Sequence, residues 1–392
     1  MTARQWKALR DLSQEGTRTV LVVFAVAVGI AGFTAVLSAY AVLAREMNRE
    51  YLATNPASAT LRMETVDDAL LTAVLADGSV AAADARRIVS ARIKTEGGEW
   101  RNLRLFVAKD FRDIRIGKLQ PEQGAWPPAT DEMLIERDAV GVARVRVGDS
   151  VTVKTACGSM QTLRVAGVVH DVGQAQARME NIVYGYVTPD TLARLGEAPY
   201  LDRLNILVAG DRMNARHVRS VAMAVKKLLE SRGHVVHSVD VPTPGEHPHA
   251  HIMNLLFRVM SVFGFCILAL SGILVVNLVA AMMASQVRQI GVMKAIGGTR
   301  AQISAIYFGQ TLLLGTAAIF IGLPAGILFG RGLCRLMAIL LNFDIVRWMP
   351  PIWVYVLAAM AGWAVPLLAA AWPIWKGSRT SVRIALADYG VS

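Results

Sequence analysis

Four long apolar stretches interrupt an otherwise ordinary mixture of polar and apolar residues. The first, Thr19 to Leu43, contains no charged residue. A bilayer core of ~30 Å takes ~20 residues of helix, so this stretch predicts a membrane span. The apolar core of a cleaved signal peptide is only ~7–15 residues long, so the pattern favours retention. The second stretch, Leu255 to Ala284, has Arg258 near its outer end and no charge beyond it. The third begins near Ala301 and runs through Gly330 to Leu341. Its part from Ile303 to Gly330 alone covers ~42 Å as a helix, which leaves Arg331 and Arg335 beyond the lipid or snorkelling to its edge. Pro324 predicts a kink within it. The fourth, Ile352 to Trp375, follows Pro350 and Pro351 and contains Pro366 and Pro373. Trp348, Trp353, Trp372 and Trp375 sit near its ends, as in an interfacial aromatic belt.

Between the first two stretches the pattern changes. Alternation of apolar and polar positions over Ser150–Thr155, Thr162–Val169 and Leu204–Ala209 predicts strands, and the 3.6-residue period over Val218–Leu229 predicts an amphipathic helix. The segment is long enough to bury a core of its own. The expected fold class is membrane α-helical, with four transmembrane helices plus an α+β extracytoplasmic domain inserted between helices 1 and 2. The expected division is a cytoplasmic amphipathic helix at 1–18, a first span at 19–43 with a stalk to about residue 54, and the extracytoplasmic domain at 55–250. A second span at 255–284, a cytoplasmic coupling segment at 285–300 and a third span at 301–341 follow. An outer loop at 342–351, a fourth span at 352–375 and a cytoplasmic tail at 376–392 complete it.

Composition agrees with this reading. Hydrophobic residues make up 54% of the chain, against ~45–50% in soluble proteins. The net charge of +11 comes from basic residues that flank apolar stretches rather than from blocks interleaved with aromatics, which argues against nucleic acid as a partner. Cys157, Cys266 and Cys334 form no CxxC pair and no disulfide framework. The basic residues also set orientation. Arg4, Lys7, Arg10 and Arg18 precede the first span, Arg288, Lys294 and Arg300 lie between the second and third, and Lys376, Arg379 and Arg383 follow the fourth. These short segments share one face, so the positive-inside rule makes both termini cytoplasmic.

The stretch between the second and third spans is the most specific. Val287, Ile290, Gly291, Lys294 and Ala295 fall along one helical stripe, Gly297 and Gly298 end the helix, and Thr299 can cap the next. On spacing alone this is equally an interfacial linker facing anionic lipid or a coupling helix docked in a groove of an ATPase.

Arg288-Gln289-Ile290-Gly291 followed by Lys294-Ala295-Ile296-Gly297 resembles the signature of the FtsX-like, MacB-like permease family of ABC transporters. That family usually places Glu where Gln289 stands, so a specific salt bridge from that position is not implied. Trp6–Arg10, Pro373–Arg379 with Ile384–Leu386, and the outer-domain segments Asp131–Ile135, Val147–Val153 and Leu163–Val168 are similar to the family in order and spacing. The resemblance implies a non-enzymatic permease subunit in the bacterial inner membrane. It implies a separate ABC ATPase dimer as partner, a second permease subunit forming a homodimer, and coupling through Val287, Arg288, Gln289, Ile290, Gly291, Lys294, Ala295, Gly297 and Gly298. No GxxxxGK[ST] occurs in the chain. The function expected is mechanotransmission: ATP hydrolysis by the partner moves a periplasmic domain, for export or efflux. A lipoprotein-release subunit and a non-transporting regulator of an extracytoplasmic partner are the alternatives. Cargo, a periplasmic adaptor and an outer-membrane channel stay open.

Gly322, Gly326 and Gly330 form a small-residue row in the third span that lets helices approach closely, equally within one subunit or at a dimer seam; the two permease subunits that the resemblance implies favour the seam. Asn277 and Gln310 read as interhelical hydrogen-bonding groups. No acidic or basic residue sits mid-span, which argues against a proton-coupled transporter. No cofactor is expected. His247, His249 and His251 lie in a Pro-rich linker expected to be exposed and are weak metal candidates.

Overall fold

The computed structural model describes residues 16–248 and 250–379. The expectations for residues 1–15 and 380–392, Ile384–Leu386 among them, and for His249 lie outside the described residues. The chain divides into two compact units. One comprises Met1–Arg45, Ile252–Met337 and Ile345–Ser392, and the other Glu46–His251 and Ala338–Asp344.

In chain order, helix α1 covers Gly16–Ala53 and leads into strand β1 (Ala59–Met63) and α2 (Asp68–Leu75). Strands β2 (Val80–Lys94), β3 (Trp100–Ala108), β4 (Gln120–Gly124) and β5 (Glu132–Glu136) follow, then α3 (Arg137–Ala143). Next come β6 (Ser150–Thr155), β7 (Met160–His170), α4 (Ala177–Glu180), β8 (Ile182–Val187), α5 (Pro189–Arg194), β9 (Arg203–Val208), α6 (Ala215–Ser231) and β10 (Val236–Asp240). Helices α7 (Ala250–Ser285), α8 (Val287–Ala295), α9 (Arg300–Leu341) and α10 (Ile352–Ser378) complete the described chain. Strands β6, β7 and β9 and helix α6 stand where the sequence periodicity places them.

The sheet unit holds ten strands in the order β10-β1-β9-β2-β3-β8-β5-β7-β4. β6 lies off this path and pairs with both β2 and β7. The pairs β2–β3, β3–β8, β8–β5, β5–β7, β7–β6 and β6–β2 therefore close a ring in which each of these six strands has a partner on both sides. Val89, Ile93, Leu105, Val107, Met133, Ile135, Val153 and Val165 fill the core. Gly185 of β8 leaves room there, because a Cβ at this position would meet Met133 Cε at 2.6 Å. Beyond the ring, β9, β1 and β10 extend the sheet from β2. Val218, Val221, Ala222, Val225 and Leu229 of α6 are buried, and α6 packs against β10, β1 and β9.

Among the described residues, four helices are long and apolar enough to cross a membrane: Thr19–Ala53, Asn254–Ser285, Arg300–Leu341 and Ile352–Ser378. Their shared core includes Val26, Ile30, Val275, Tyr307, Leu314, Ala318 and Ile374. Gln310 is buried in the helical unit, whereas Asn277 is exposed on α7. With the α+β unit between the first two spans, the expected fold class stands.

Gly322, Gly326 and Gly330 pack within the chain, the other of the two readings that the sequence leaves open. All three are buried against α1 of the same chain. A Cβ on Gly322 would meet the Ala27 carbonyl at 2.6 Å, and one on Gly326 would meet Thr34 Cβ at 2.6 Å and the Ala31 carbonyl at 2.7 Å. A Cβ on Gly330 would collide with Ser38 Oγ. The row lets two backbones approach within one subunit, so this face of α9 is already occupied.

Candidate functional site

Two arrangements stand out, one in each unit. The first is α8 between α7 and α9. Its nine residues sort into two faces. Ile290 and Gly291 are buried, and Val287 and Lys294 are partly covered. Arg288, Gln289, Val292 and Ala295 are exposed, and Ile296, just past the helix, is 82% exposed.

Polar anchors fix α8. Tyr307 on α9 donates from its hydroxyl to Gln286 Oε1 at 2.8 Å, beside the helix start. Lys294 Nζ donates to the Ser378 carbonyl at 2.7 Å, placing a cation at the C-terminal end of α10 where the helix dipole favours it. Burial, and then the nearby charge of Arg300, hold the Lys294 ammonium below the ordinary lysine range. Gly297, at φ +95°, takes the left-handed turn that ends the segment. Gly298 follows half-buried, folded back so that its N–H donates to the Met293 carbonyl at 2.8 Å. The residues expected at this site thus divide: Val287, Ile290, Gly291, Lys294 and Gly298 are covered, while Arg288, Gln289, Ala295 and Gly297 face outward. The exposed apolar side chains Val292 and Ile296 were absent from the expected set. Their one signal in the sequence is an apolar residue inside a basic linker, which periodicity alone reads as inward-facing.

The second arrangement is a buried ionic junction in the sheet unit. β5 and β7 run parallel, with Glu136 in register with Val169, so Glu136 and His170 emerge together at the strand ends. His170 is fully buried. Its Nε2 lies 3.2 Å from Glu50 Oε1 near the end of α1, and its Nδ1 lies 3.4 Å from Glu136 Oε1. Burial by itself would lower the imidazole, but the hydrogen bonds to Glu136 and Glu50 outweigh it and raise His170 to about 9, against the opposing charge of Arg137. The ring is therefore an imidazolium donating to two carboxylates.

The end of α9 closes the same knot. Asn342 takes φ +54°, and Phe343 N–H reaches back to the Ala338 carbonyl at 3.2 Å, a Schellman-type helix stop. Asn342 Nδ2 donates to Glu136 Oε1 at 2.8 Å, and its Oδ1 accepts from Arg137 Nε at 2.6 Å. Arg137 Nη1 also pairs with Glu122 and Asp344, each at 2.9 Å. Asp344 N–H donates to Glu50 Oε2 at 2.8 Å, and Asp138 N–H to Glu136 Oε2 at 2.6 Å. Gln176 Nε2 takes up the Leu341 carbonyl at 3.2 Å, one of the carbonyls a helix end leaves without an intrahelical partner. Next to His170, burial raises the Asp171 carboxyl above the usual range, although Tyr186, the Gly173 N–H and Gln174 all donate to it.

The histidines of the Pro-rich linker are not gathered in this way. His247 is buried rather than exposed. Its Nε2 lies 2.6 Å from the Val172 carbonyl, and its ring meets Tyr51 edge-on at 5.1 Å. His251 is exposed. Among the described residues, the group with metal-ligating geometry is Glu50, His170 and Asp344, whose donor atoms lie within 4.8 Å of one another.

Residues 261–382 match the family model for the FtsX-like permease C-terminal domain. No curated protein matches the chain. Among solved structures, the extracellular domain of the noncanonic ABC-type transporter YknZ from Gram-positive bacteria is 14% identical, with a TM-score of 0.33 over 49% of this chain and 94% of that one. The periplasmic region of MacB from Actinobacillus actinomycetemcomitans is 12% identical, with a TM-score of 0.31 over 49% of this chain and 93% of that one.

Proposed function

We propose that this multi-pass membrane protein, which carries an FtsX-like permease domain at residues 261–382, is a permease subunit of an ABC transporter of the mechanotransmission type. In this reading a separate ATPase dimer binds the outer face of α8, and its closure and opening displace α7 and α9. The displacement travels along the spans to the sheet unit, which changes shape and acts on cargo or on a partner. The protein itself supplies no hydrolytic step.

One observation carries this reading. Helices α1 and α9 run without interruption from apolar span into the sheet unit, which includes Glu46–Ala53 and Ala338–Leu341. There Glu50 and Asn342 are tied to His170, Glu136 and Arg137 by buried or half-buried hydrogen bonds. The start of α9, in contrast, follows α8. A helix held at one end and reached by a partner at the other is a lever.

The basic segments around α8 and at the chain ends support a cytoplasmic position for both termini in a bacterial inner membrane, with the sheet unit on the far side. A second permease subunit would use surface other than the glycine row. Val20, Leu21, Phe24 and Val28 form an exposed apolar stripe on α1 and are available to a second copy or to lipid.

The test is co-purification with the ATPase. Charging the outer face by Val292→Asp with Ile296→Asp should abolish recovery of the ATPase while the permease stays folded. Undiminished recovery and undiminished ATP hydrolysis would refute the assignment of α8.

A further inference from the structure

The junction around His170 has a donor set and a supporting shell suited to a cation. We propose that Glu50, His170 and Asp344 form a binding site for a divalent transition-metal ion, with Zn2+ the best fit. The three ligands come from the end of α1, the end of β7 and the segment after α9, so a bound ion would cross-link three elements of the sheet unit.

Geometry supports this first. One imidazole nitrogen of His170 and one oxygen from each carboxylate lie within 4.8 Å of one another, and Nε2 is the nitrogen that faces Glu50, at 3.2 Å. Metal–ligand bonds of ~2.0–2.2 Å place tetrahedral ligands some ~3.5 Å apart, so modest side-chain contraction closes the set. Asp344 is 61% exposed at its side chain, which leaves a path for the ion and for water as a fourth ligand.

The supporting shell is the stronger argument. In built metal sites the non-ligating atom of each ligand is held by a second residue. Here Glu136 Oε1 faces His170 Nδ1 at 3.4 Å, leaving Nε2 for the ion. Glu50 Oε2 accepts from the Asp344 N–H at 2.8 Å, leaving Oε1. Glu136 is itself fixed by the Asp138 N–H at 2.6 Å and by Asn342 Nδ2 at 2.8 Å.

Charge points the same way. The junction gathers the carboxylates of Glu50, Glu122, Glu136 and Asp344 around one guanidinium and one imidazole. The ion takes the Nε2 lone pair, and any proton on that nitrogen leaves to solvent as it binds. Arg137 gives up Asp344 in the exchange but keeps Glu122 at 2.9 Å and Asn342 at 2.6 Å, so no guanidinium is stranded.

The test uses the full-length protein in detergent, freed of its affinity tag and stripped with a chelator, then titrated with Zn2+ by calorimetry and with Co2+ by visible absorption. One ion per chain should bind at micromolar or tighter affinity, with the intense visible bands of a four-coordinate Co2+ site. His170→Gln should abolish binding. Asp344→Asn, at an exposed position that leaves the core intact, should weaken it by at least about tenfold. His249→Ala with His251→Ala should leave it unchanged. Absence of binding in the wild type would overturn the proposal. So would binding that survives both His170→Gln and Asp344→Asn, or that disappears with the linker histidines. The readout needs no ATPase, so its failure is separate from failure of the coupling assignment.

Discussion

His170 Nε2, at the end of β7, lies 3.2 Å from the Glu50 carboxylate, on the last turns of α1. These residues are far apart in sequence, and the contact joins the extension of the first span helix to the closed ring of strands. Glu136 brings the end of α9 to the same point through Asn342. Within the sheet unit, the last turns of two span helices are thus bonded to the strand ends, not merely tethered by loops.

Removing the imidazole tests how much this grip contributes. In His170→Ala, Glu50 and Glu136 keep their burial and lose the cation between them. Breaking one partner of a buried ionic set costs about 3–5 kcal/mol. Thermal unfolding of the purified protein should show a large loss for His170→Ala and a smaller one for the charge-removing double variant Glu50→Gln with His170→Gln. Equal losses would mean that the charges do not interact.

Asn342 combines a backbone role with a side-chain role, and two substitutions separate them. Asn342→Gly tolerates φ +54° and loses only the bonds to Glu136 and Arg137. Asn342→Ala loses those bonds and adds about 1–2 kcal/mol for a left-handed non-glycine residue. The alanine variant should melt lower than the glycine variant, and both below wild type.

The glycine row yields a contrast within one helix. A Cβ on Gly326 would meet Thr34 Cβ and the Ala31 carbonyl, whereas one on Gly332 would meet nothing within 4 Å. Gly326→Leu should force α1 from α9 and destabilise by at least about 1–3 kcal/mol. Gly332→Ala should be neutral or stabilising by up to about 1 kcal/mol through helix propensity. Thermal melts in detergent distinguish the two.

The two faces of α8 should separate stability from coupling. Ile290 is 1% exposed in the core of the helical unit, so Ile290→Asp should fail to accumulate as folded protein, as expected for an unpaired buried charge. Arg288 is exposed, and Arg288→Ala should leave the melting temperature within experimental error. Its effect on ATPase stimulation measures that side chain's share of the docking surface.

The spans were legible in the sequence because uncharged apolar stretches of this length seldom serve any purpose but crossing a bilayer. Strand β6 and helix α6 were legible because each has one buried face and therefore a clean period, whereas β7 and β9, buried on both faces toward their ends, were legible from their runs of β-branched and apolar residues. The ring closure was not, since pairing of Ala91 with Thr155 is a long-range choice that no local pattern records. Gly322, Gly326 and Gly330 were legible as a close-packing row, but the choice between packing within the chain and a dimer seam was not, because both interfaces want the same small residues. His170, Glu50 and Asp344 stayed invisible for a related reason. Each is an ordinary polar residue in its own segment, and only the parallel β5–β7 pairing and the helix stop at Asn342 bring them together. The histidine-rich linker is conspicuous by local density alone, although His247 is used structurally.

The most direct test of force transmission is hydrogen–deuterium exchange on the permease reconstituted in nanodiscs with its ATPase. Exchange is followed at residues 46–53 and 338–344 with and without ATP turnover. The account requires that turnover change protection in both segments, and that Val292→Asp with Ile296→Asp abolish the change. Identical protection in the two conditions, with the ATPase bound and hydrolysing ATP, would contradict it.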